Sequence, residues 1–326
     1  MPNLRVVSLF CGCGGLDLGV LGNFSYLGKK YSANPCEIVY AVDNDEYCTK
    51  IYNDNFKHKC EVKDVRSIKK QDIPDFDLLV GGFPCQSFSI SAQNPPRLGY
   101  KDERGMLFFE MVKILKDKKP RFFIAENVKG LLSANKKKAF PMIIKEFESA
   151  GYFVKYNLFN TSDYGVPQKR ERVIIFGCRE ESDFKKFEFP KPLKSPKVPL
   201  KKVLDPNADL EEKWFFSEKA VQGMLSVQAK MNKGRIQNVE EPCNTVSSHL
   251  AKVSLNSTDP VLFVNNRYRR FTPKECAGIQ SFPEKFNFSS VSEARQYKAI
   301  GNAVPPVFMW HIARSLQRVV RANQID

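Results

Sequence analysis

One cysteine stands where a nucleophile could work. Cys85 follows the apolar run 77–80, and Gly81, Gly82 and Pro84 turn the chain from a buried strand into a loop. In an open α/β sheet, ligands bind in the crevice outside such strand ends. A thiolate here could add to an electron-poor carbon if its surroundings lower the ordinary thiol pKa of about 8.5. Because the chain has nine cysteines, Cys85 is a candidate nucleophile only if other groups beside it support the reaction.

A carboxyl group is predicted to lie at the same sheet edge as this thiol, and two arginines are predicted to share one face of a later strand. Glu126 follows the apolar run 121–125, which we expect to form the next strand. Arg170 and Arg172 enter a strand over 173–176 two residues apart, so they point to one face. Two adjacent guanidinium groups need an anion or a polar ligand to offset their repulsion. The alternatives are a solvated glutamate and a pair of surface ion pairs.

A glycine-rich turn near the N-terminus predicts a second ligand site. The strand 5–10 runs into the segment 11–19, in which several glycines open a helix. Backbone N–H groups at such a turn can approach a ligand closely. The third glycine of a dinucleotide-binding G-x-G-x-x-G turn would fall where this chain has Asp17. We expect this carboxylate to repel a pyrophosphate, which disfavours NAD and FAD.

Two acidic positions complete the expected ligand site. Asp43 ends the strand 37–42, where a carboxylate can accept hydrogen bonds from ribose hydroxyls. Asp64 and Val65 stand where a third strand would end, a place suited to binding an adenine amino group. The order and spacing of the glycine-rich turn and the two aspartates predict a cofactor that contains adenosine.

Composition restricts the class of protein and its partners. The 326 residues carry a net charge of +15, which favours a polyanionic partner, above all nucleic acid. No apolar run is long enough for a transmembrane helix, and no signal peptide precedes the first strand. Nine scattered cysteines without a C-x-x-C pair, and only three histidines, argue against zinc and against a disulfide framework. We therefore expect an intracellular protein.

The pattern of elements predicts an α/β sheet with helices on both faces and a smaller, irregular second domain. We predict helices over 105–117 and 136–150, a strand over 152–160, and a closing helix after residue 306. The polar stretch 86–104 is long enough to be a lid or binding loop. Composition changes near residue 179, and seven lysines and four prolines within 185–202 indicate a basic linker.

Together, these groups could methylate a cytosine. The C5 atom of cytosine is a poor nucleophile, but addition of the Cys85 thiolate to C6 makes it enamine-like. A protonated Glu126 could donate a proton or a hydrogen bond to ring N3, and an arginine could bind the exocyclic O2. S-adenosylmethionine would then supply the methyl group, and loss of the C5 proton would release the cysteine.

The chain resembles the DNA cytosine-5-methyltransferases of bacterial restriction–modification systems. The resemblance covers nearly all of the sequence except about 185–260. It is carried by eight motifs in family order: Phe10-x-Gly12-x-Gly14-Gly15, Asp43 with Asp64, Pro84-Cys85-Gln86, Arg104-Gly105, Glu126-Asn127-Val128, Gln168-x-Arg170-x-Arg172, the segment 269–283, and Gly301-Asn302-Ala303-Val304.

The resemblance implies roles for individual residues. Cys85 would be the nucleophile, Glu126 the N3 partner and Arg172 the catalytic arginine, while Arg170 would help to hold the cytosine and Glu126. The loop around Ser91 would close over DNA and hold the flipped base. The implied cofactor pocket consists of Phe10, Gly12, Gly14, Gly15, Leu16, Asp43, Asn44, Asp64, Val65, Pro84, Leu107, Asn302 and Ala303. The implied DNA contacts are Gln86, Ser89, Ser91, Arg97, Arg104, Lys233, Arg235 and Thr245.

The resemblance also implies domains, cofactor and partners. A Rossmann-like methyltransferase domain would span 1–178 and be completed by 291–326. A mostly β target-recognition domain would span 179–290, with the basic hinge 185–202 and the return segment 269–290. The expected cofactor is S-adenosylmethionine, which leaves as S-adenosylhomocysteine, with no metal. The expected partner is double-stranded DNA bound by a cytoplasmic monomer, functionally linked to a restriction endonuclease.

Three other functions stay open on the sequence. A tRNA cytosine-5 branch shares this fold but lacks a large recognition domain, whereas this chain has about 80 residues of one. A non-catalytic DNA-binding module would not need both Cys85 and Glu126. A nicotinamide oxidoreductase is disfavoured by Asp17 and by the lack of a hydride-transfer site.

Overall fold

The computed structural model describes residues 3–84, 106–226, 235–252 and 259–322. Within these residues the chain forms thirteen strands, some of only two residues. In chain order they are β1 (Leu4–Leu9), β2 (Phe24–Tyr26), β3 (Lys29–Tyr31), β4 (Cys36–Asp43), β5 (Cys60–Val62), β6 (Leu78–Gly81), β7 (Phe122–Val128), β8 (Phe153–Asn160), β9 (Gln168–Lys169), β10 (Glu171–Cys178), β11 (Cys243–Asn244), β12 (Leu262–Val264) and β13 (Arg267–Arg269).

The α-helices of the described residues separate these strands or follow them. They are α1 (Gly15–Leu21), α2 (Glu46–Asn55), α3 (Met106–Lys118), α4 (Ala139–Ser149), α5 (Glu181–Lys186), α6 (Glu218–Ser226), α7 (Pro273–Ile279), α8 (Glu293–Asn302) and α9 (Pro306–Ala322). None of the described helices is long and apolar enough to cross a membrane.

Seven strands form one mixed sheet in the order β5-β4-β1-β6-β7-β10-β8. The first five are parallel, whereas β10 runs antiparallel to both β7 and β8. Successive side chains of a strand face opposite sides, so Phe122 and Ile124 enter one apolar core and Phe123 enters the other. Helices α1 and α9 cover the first face, and α3 and α4 cover the second. The predicted α/β sheet with helices on both faces is confirmed.

The predicted helices lie close to their expected positions. The predicted helix 105–117 corresponds to α3, and 136–150 corresponds to α4. Helix α4 begins three residues later than predicted, because residues 135–137 have positive φ angles that no α-helix can contain. Thr272 and Glu275 form the capping box that their spacing predicts at the start of α7.

The last helix packs on the first. The apolar side chains of the closing helix α9 are buried, and they lie against α1. An added Cβ at Gly19 would lie 2.5 Å from Cβ of Met309, and one at Gly15 would lie 2.4 Å from the carbonyl oxygen of Val304. Glycine is required at both positions because the two ends of the chain approach each other so closely here.

The region after the large sheet is irregular, as predicted. Within its described part, β12 and β13 form a short hairpin, and β11 pairs with β9 over two residues. A third apolar cluster contains Trp214, Leu262 and Phe271 from this region together with Cys13 and Ala303. The irregular region therefore packs directly against the glycine-rich turn and the end of α8.

Candidate active site

The segment that leads to Cys85 is fixed against Glu126. Strands β6 and β7 are parallel neighbours with Gly81 opposite Ala125, so the residues that follow β6 lie beside the end of β7. An added Cβ at Gly82 would lie 3.1 Å from Oε2 of Glu126. Cys85 itself lies outside the described residues, but the chain enters it directly alongside this carboxylate.

Asn127 holds the same segment in place through a hydrogen bond. Its Nδ2 donates a hydrogen bond of 3.0 Å to the carbonyl oxygen of Phe83, and both groups are buried. Its Oδ1 accepts the N–H of Val128 at 2.9 Å, which fixes the orientation of the amide. Phe83 also packs its ring against Phe108 of α3. The backbone two residues before Cys85 is therefore held from both sides.

Glu126 and Arg172 form an ion pair at the edge of the sheet. The Nε of Arg172 lies 2.7 Å from Oε1 of Glu126, and the two side chains are only about a tenth exposed. Antiparallel pairing of β7 with β10 sets Glu126 opposite Ile174, two residues from Arg172. Burial lowers the pKa of Arg172, an effect that the charge of Glu126 opposes. The pair can thus present a hydrogen-bonding carboxyl and a guanidinium to one polar ring.

Arg170 has a different environment from the one expected. Its Nη1 donates to the carbonyl oxygen of Val246, and its Nη2 donates to those of Gly301 and Ala303, at 2.9 to 3.2 Å. Burial, followed by the charge of Arg172, lowers its pKa well below the usual range. None of its described contacts is with Glu126. Its guanidinium is engaged by backbone carbonyls, and the charge of Glu126 acts on it by opposing the lowering of its pKa. That Arg170 helps to hold Glu126 stays a prediction.

The glycine-rich turn is anchored to Asp43. The N–H of Gly12 donates to Oδ2 of Asp43 at 2.8 Å. Phe10 and Gly12 both have φ angles of 55°, and an added Cβ at Gly12 would have no neighbour within 4 Å. The turn thus leaves space in front of Gly12, next to a carboxylate whose pKa is raised by burial.

The remaining predicted cofactor residues differ in burial and contacts. Asp64 is half-buried and binds Arg66. The hydrogen bonds from Arg66 lower the pKa of Asp64. Gly14, at a φ of 91°, lies against the ring of Phe56. Gly15, Leu16, Val65 and Ala303 are buried, Pro84 and Leu107 are half-buried, and Asn44 and Asn302 are exposed. These residues fit a ligand with a sugar and an uncharged base, because they offer carboxylates, a half-buried aromatic residue and an open backbone turn.

Asp17 does not face this space. Its side chain is fully buried, with Oδ1 accepting a 2.6 Å hydrogen bond from Ser8 and Oδ2 accepting one from Tyr52. Burial raises the pKa of Asp17 to about 6. The expectation that this carboxylate repels a pyrophosphate is therefore wrong, because the first turn of α1 directs it into the protein.

The predicted DNA contacts are only partly described. Cys85, Gln86, Ser89, Ser91, Arg97, Arg104 and Lys233 lie outside the described residues. Thr245 is exposed and donates its hydroxyl to the carbonyl of Lys169 at 3.0 Å. Arg235 is only 4% exposed, and its Nε donates to the carbonyl of Asp259. The side chain of Arg235 is thus held against the protein, and a DNA contact by Arg235 stays a prediction.

Two glutamines, for which the sequence predicts no role, form hydrogen bonds between distant segments of the site. Gln168 accepts the N–H of Val246 at 2.8 Å and donates to Oε1 of Gln280 at 2.9 Å. Gln280 in turn donates to the carbonyl of Ile300 at 2.7 Å. Both glutamines are fully buried. Gln168 belongs to the motif Gln168-x-Arg170-x-Arg172, but its hydrogen-bond partners are too distant along the chain for any local pattern to predict them.

No group of three or more His, Cys, Asp or Glu side chains suited to a metal ion occurs in the described part of the chain.

Comparison with known proteins identifies relatives over the full length. The sequence profile of the family described as C-5 cytosine-specific DNA methylase matches residues 4–318. The type II methyltransferase M.FnuDI of Fusobacterium nucleatum is 37% identical over 97% of this chain and 95% of its own. The type II methyltransferase M.Bsp6I of a Bacillus strain is 32% identical over 97% of this chain and 99% of its own.

Solved structures share the fold at lower identity. The Entamoeba histolytica methyltransferase EhMeth superposes with a TM-score of 0.76 at 20% identity, covering 97% of this chain and 98% of its own. The Dnmt2 methyltransferase of S. pombe gives a TM-score of 0.72 at 18% identity, covering 96% and 98%.

Proposed function

The chain belongs to the C-5 cytosine-specific DNA methylase family, and on that premise we propose that Cys85, Glu126 and Arg172 carry out its reaction. Cys85 adds to C6 of a cytosine flipped out of the duplex, and the addition makes C5 nucleophilic. A protonated Glu126 donates a hydrogen bond to ring N3 as negative charge develops there, and Arg172 binds O2. After methyl transfer, a base from solvent takes the C5 proton and the C6–S bond breaks, so that Cys85 leaves as a thiolate and the ring is restored.

The observation that supports this proposal is the arrangement around Glu126. Arg172 lies 2.7 Å from one oxygen of the carboxylate, and Gly82 lies beside the other oxygen. Asn127, the next residue of β7, holds Phe83 just before the cysteine. One short stretch of β7 thus fixes both Glu126 and the segment that leads to Cys85. Such chemistry needs groups that are held in place before the reaction begins.

We assign the cofactor site to the space in front of Gly12. S-adenosylmethionine would supply an electrophilic methyl group when bound there. Asp43 is placed to accept ribose hydroxyls, Phe10 to stack on the adenine, and Asp64 with Val65 to bind the adenine edge. Pro84, Leu107 and the turn at Asn302 form the remaining walls.

We further propose a role in a type II restriction–modification system, as the names of the relatives indicate. The substrate is duplex DNA, bound by a cytoplasmic monomer whose net charge of +15 favours a polyanion. Residues 179–290 form the target-recognition domain with the basic hinge 185–202, and 1–178 with 291–326 form the catalytic domain. Thr245, which is exposed beside the strand pair β9 and β11, would contact this DNA.

Methyl transfer from labelled S-adenosylmethionine tests this function directly. Incubation with duplex DNA should label the DNA, whereas tRNA should stay unlabelled. Duplex DNA with 5-fluorocytosine at the target should become covalently bound to Cys85, because the fluorine cannot leave as a proton does. Labelling of tRNA alone would assign the protein to the tRNA branch. Methylation of normal DNA without any fluorocytosine adduct would contradict the covalent mechanism.

A further inference from the structure

An ion pair joins two walls of the assigned cofactor site. The Nζ of Lys298 lies 2.7 Å from Oδ2 of Asp45, although the two residues are 253 positions apart in the chain. Lys298 belongs to α8, which ends at Asn302, and Asp45 follows β4 and caps α2. The ion pair therefore fixes the end of α8 against the end of β4.

Asp45 extends this connection to the glycine-rich turn. Its N–H donates to Oδ1 of Asp43 at 2.8 Å, and Oδ2 of Asp43 accepts the N–H of Gly12 at 2.8 Å. Its own Oδ1 accepts the N–H groups of Tyr47 and Cys48 as the cap of α2. A continuous series of hydrogen bonds thus runs from Lys298 through both aspartates to Gly12.

Lys298 also compensates a charge. Burial, and to a smaller extent the neighbouring charge of Asp45, raise the pKa of Asp43. Burial opposes ionisation of Asp45 too, but the hydrogen bond from Lys298 and those from the helix N–H groups outweigh it and lower the pKa of Asp45. The ammonium group therefore offsets the negative charge that Asp45 places beside Asp43.

We propose that Lys298 is a positioning residue for the methyl donor, which holds Asp43 and the turn at Asn302 at the spacing that the adenosyl group requires. The inference rests on the proposed function, because it takes Asp43 as the ribose-binding residue. Lys298 acts through Asp45 and need not touch the cofactor. Its side chain is 44% exposed, and such ion pairs contribute little to folding because solvent screens them, so its loss should affect cofactor binding more than stability.

The test is Lys298→Met, which removes the ammonium group but keeps most of the apolar stem. We expect the Kd and KM for S-adenosylmethionine to rise about tenfold while kcat at saturating cofactor stays within about twofold, the pattern of a lost ground-state binding contribution. Calorimetry on the DNA-free protein gives the Kd, and steady-state methylation gives KM and kcat. Lys298→Arg should restore cofactor affinity, because a guanidinium can also bind Asp45.

Two further variants keep the test decisive. Asp45→Asn should raise the cofactor Kd similarly, and adding Lys298→Met to it should change the Kd less than about twofold, because the two residues act as one unit. Lys118→Met removes a comparable long-range ion pair, 3.2 Å from Asp75, and should leave cofactor affinity unchanged. A parental Kd in Lys298→Met, with methylation intact, would refute the positioning role. A parent protein that neither binds nor uses the cofactor would instead refute the proposed function.

Discussion

The amide nitrogen of Asn127 lies 3.0 Å from the carbonyl oxygen of Phe83, and this hydrogen bond joins the end of β7 to the segment that precedes Cys85. The bond is buried, so both groups depend on each other for their hydrogen-bonding needs. It fixes the segment that precedes Cys85 to β7 at the residue next to Glu126. The geometry of attack therefore depends on a residue that we expect to make no contact with the substrate.

Asn127→Leu should lower kcat about tenfold or more with little change in cofactor Kd, because even a small misplacement of a reacting group is costly. It should also lower the free energy of unfolding by about 1–3 kcal/mol, since the Phe83 carbonyl stays buried without its donor. Urea unfolding and single-turnover methylation measure both effects. Asn157→Leu is a matched control: Asn157 accepts the next N–H in the same way but is exposed on β8. An active, stable Asn127→Leu would contradict the positioning role.

Cys85→Ala should abolish methyl transfer while cofactor binding stays near the parental value, because alanine cannot add to C6. Filter binding of labelled product DNA and calorimetry with the cofactor provide the two readouts. Cys36→Ala, which removes a buried thiol at the opposite end of β4 from Asp43, should stay active. Turnover of Cys85→Ala within tenfold of the parent would remove Cys85 from the mechanism.

Glu126→Gln should lower the rate of methyl transfer by a factor on the order of 10²–10⁴, because the amide cannot supply the proton that ring N3 needs. It should also destabilise the protein by about 3–5 kcal/mol, since the buried Arg172 loses its counter-charge. Glu171→Gln, whose exposed side chain pairs with Lys129 at 2.9 Å, should change neither quantity appreciably. If Glu126→Gln kept the kcat of the parent, another group would have to donate to ring N3.

Asp17→Asn should change how stability depends on pH. Burial raises the pKa of Asp17 to about 6, so the native state holds this proton more tightly than the unfolded chain does. The free energy of unfolding of the parent should therefore fall, through this group, as pH rises from about 4 to about 6. Relative to Asp17→Asn, the parent should lose about 3 kcal/mol between pH 4 and pH 7.

Urea unfolding at several pH values measures this difference. Burial lowers the pKa of His58, which is hydrogen-bonded to Tyr52, to about 4, and its contribution has the opposite sign. It is present in both proteins and cancels when their curves are subtracted. A pH-independent difference for Asp17→Asn would contradict the raised pKa of Asp17.

The sequence was sufficient to predict the sheet and its edge. Apolar runs mark buried strands directly, so β6 and β7 followed from local composition, although β7 extends past Glu126 to Val128. The ion pair of Glu126 with Arg172 was not predicted, because it depends on the antiparallel register of β7 with β10, and contact with Glu126 had been expected of Arg170.

Tertiary partners could not be predicted in the same way. Asp17 lies in the first turn of a helix as expected, but Ser8 and Tyr52, which turn it inward, come from other elements. Arg235 is a basic residue in a basic region, and only its contact with Asp259 shows that it is buried. Arg170 binds carbonyls more than 70 positions away.

The close packing of α1 against α9 has a consequence for biosynthesis. A ribosome completes the glycine-rich turn early, but the residues that must press against it are translated much later, at about 5–20 residues per second. Until Val304 and α9 leave the exit tunnel, Gly15 lacks its neighbour and the cofactor site lacks a wall. Nascent chains and products that terminate before α9 should therefore be unable to methylate DNA, and the activity should appear only after α9 has emerged.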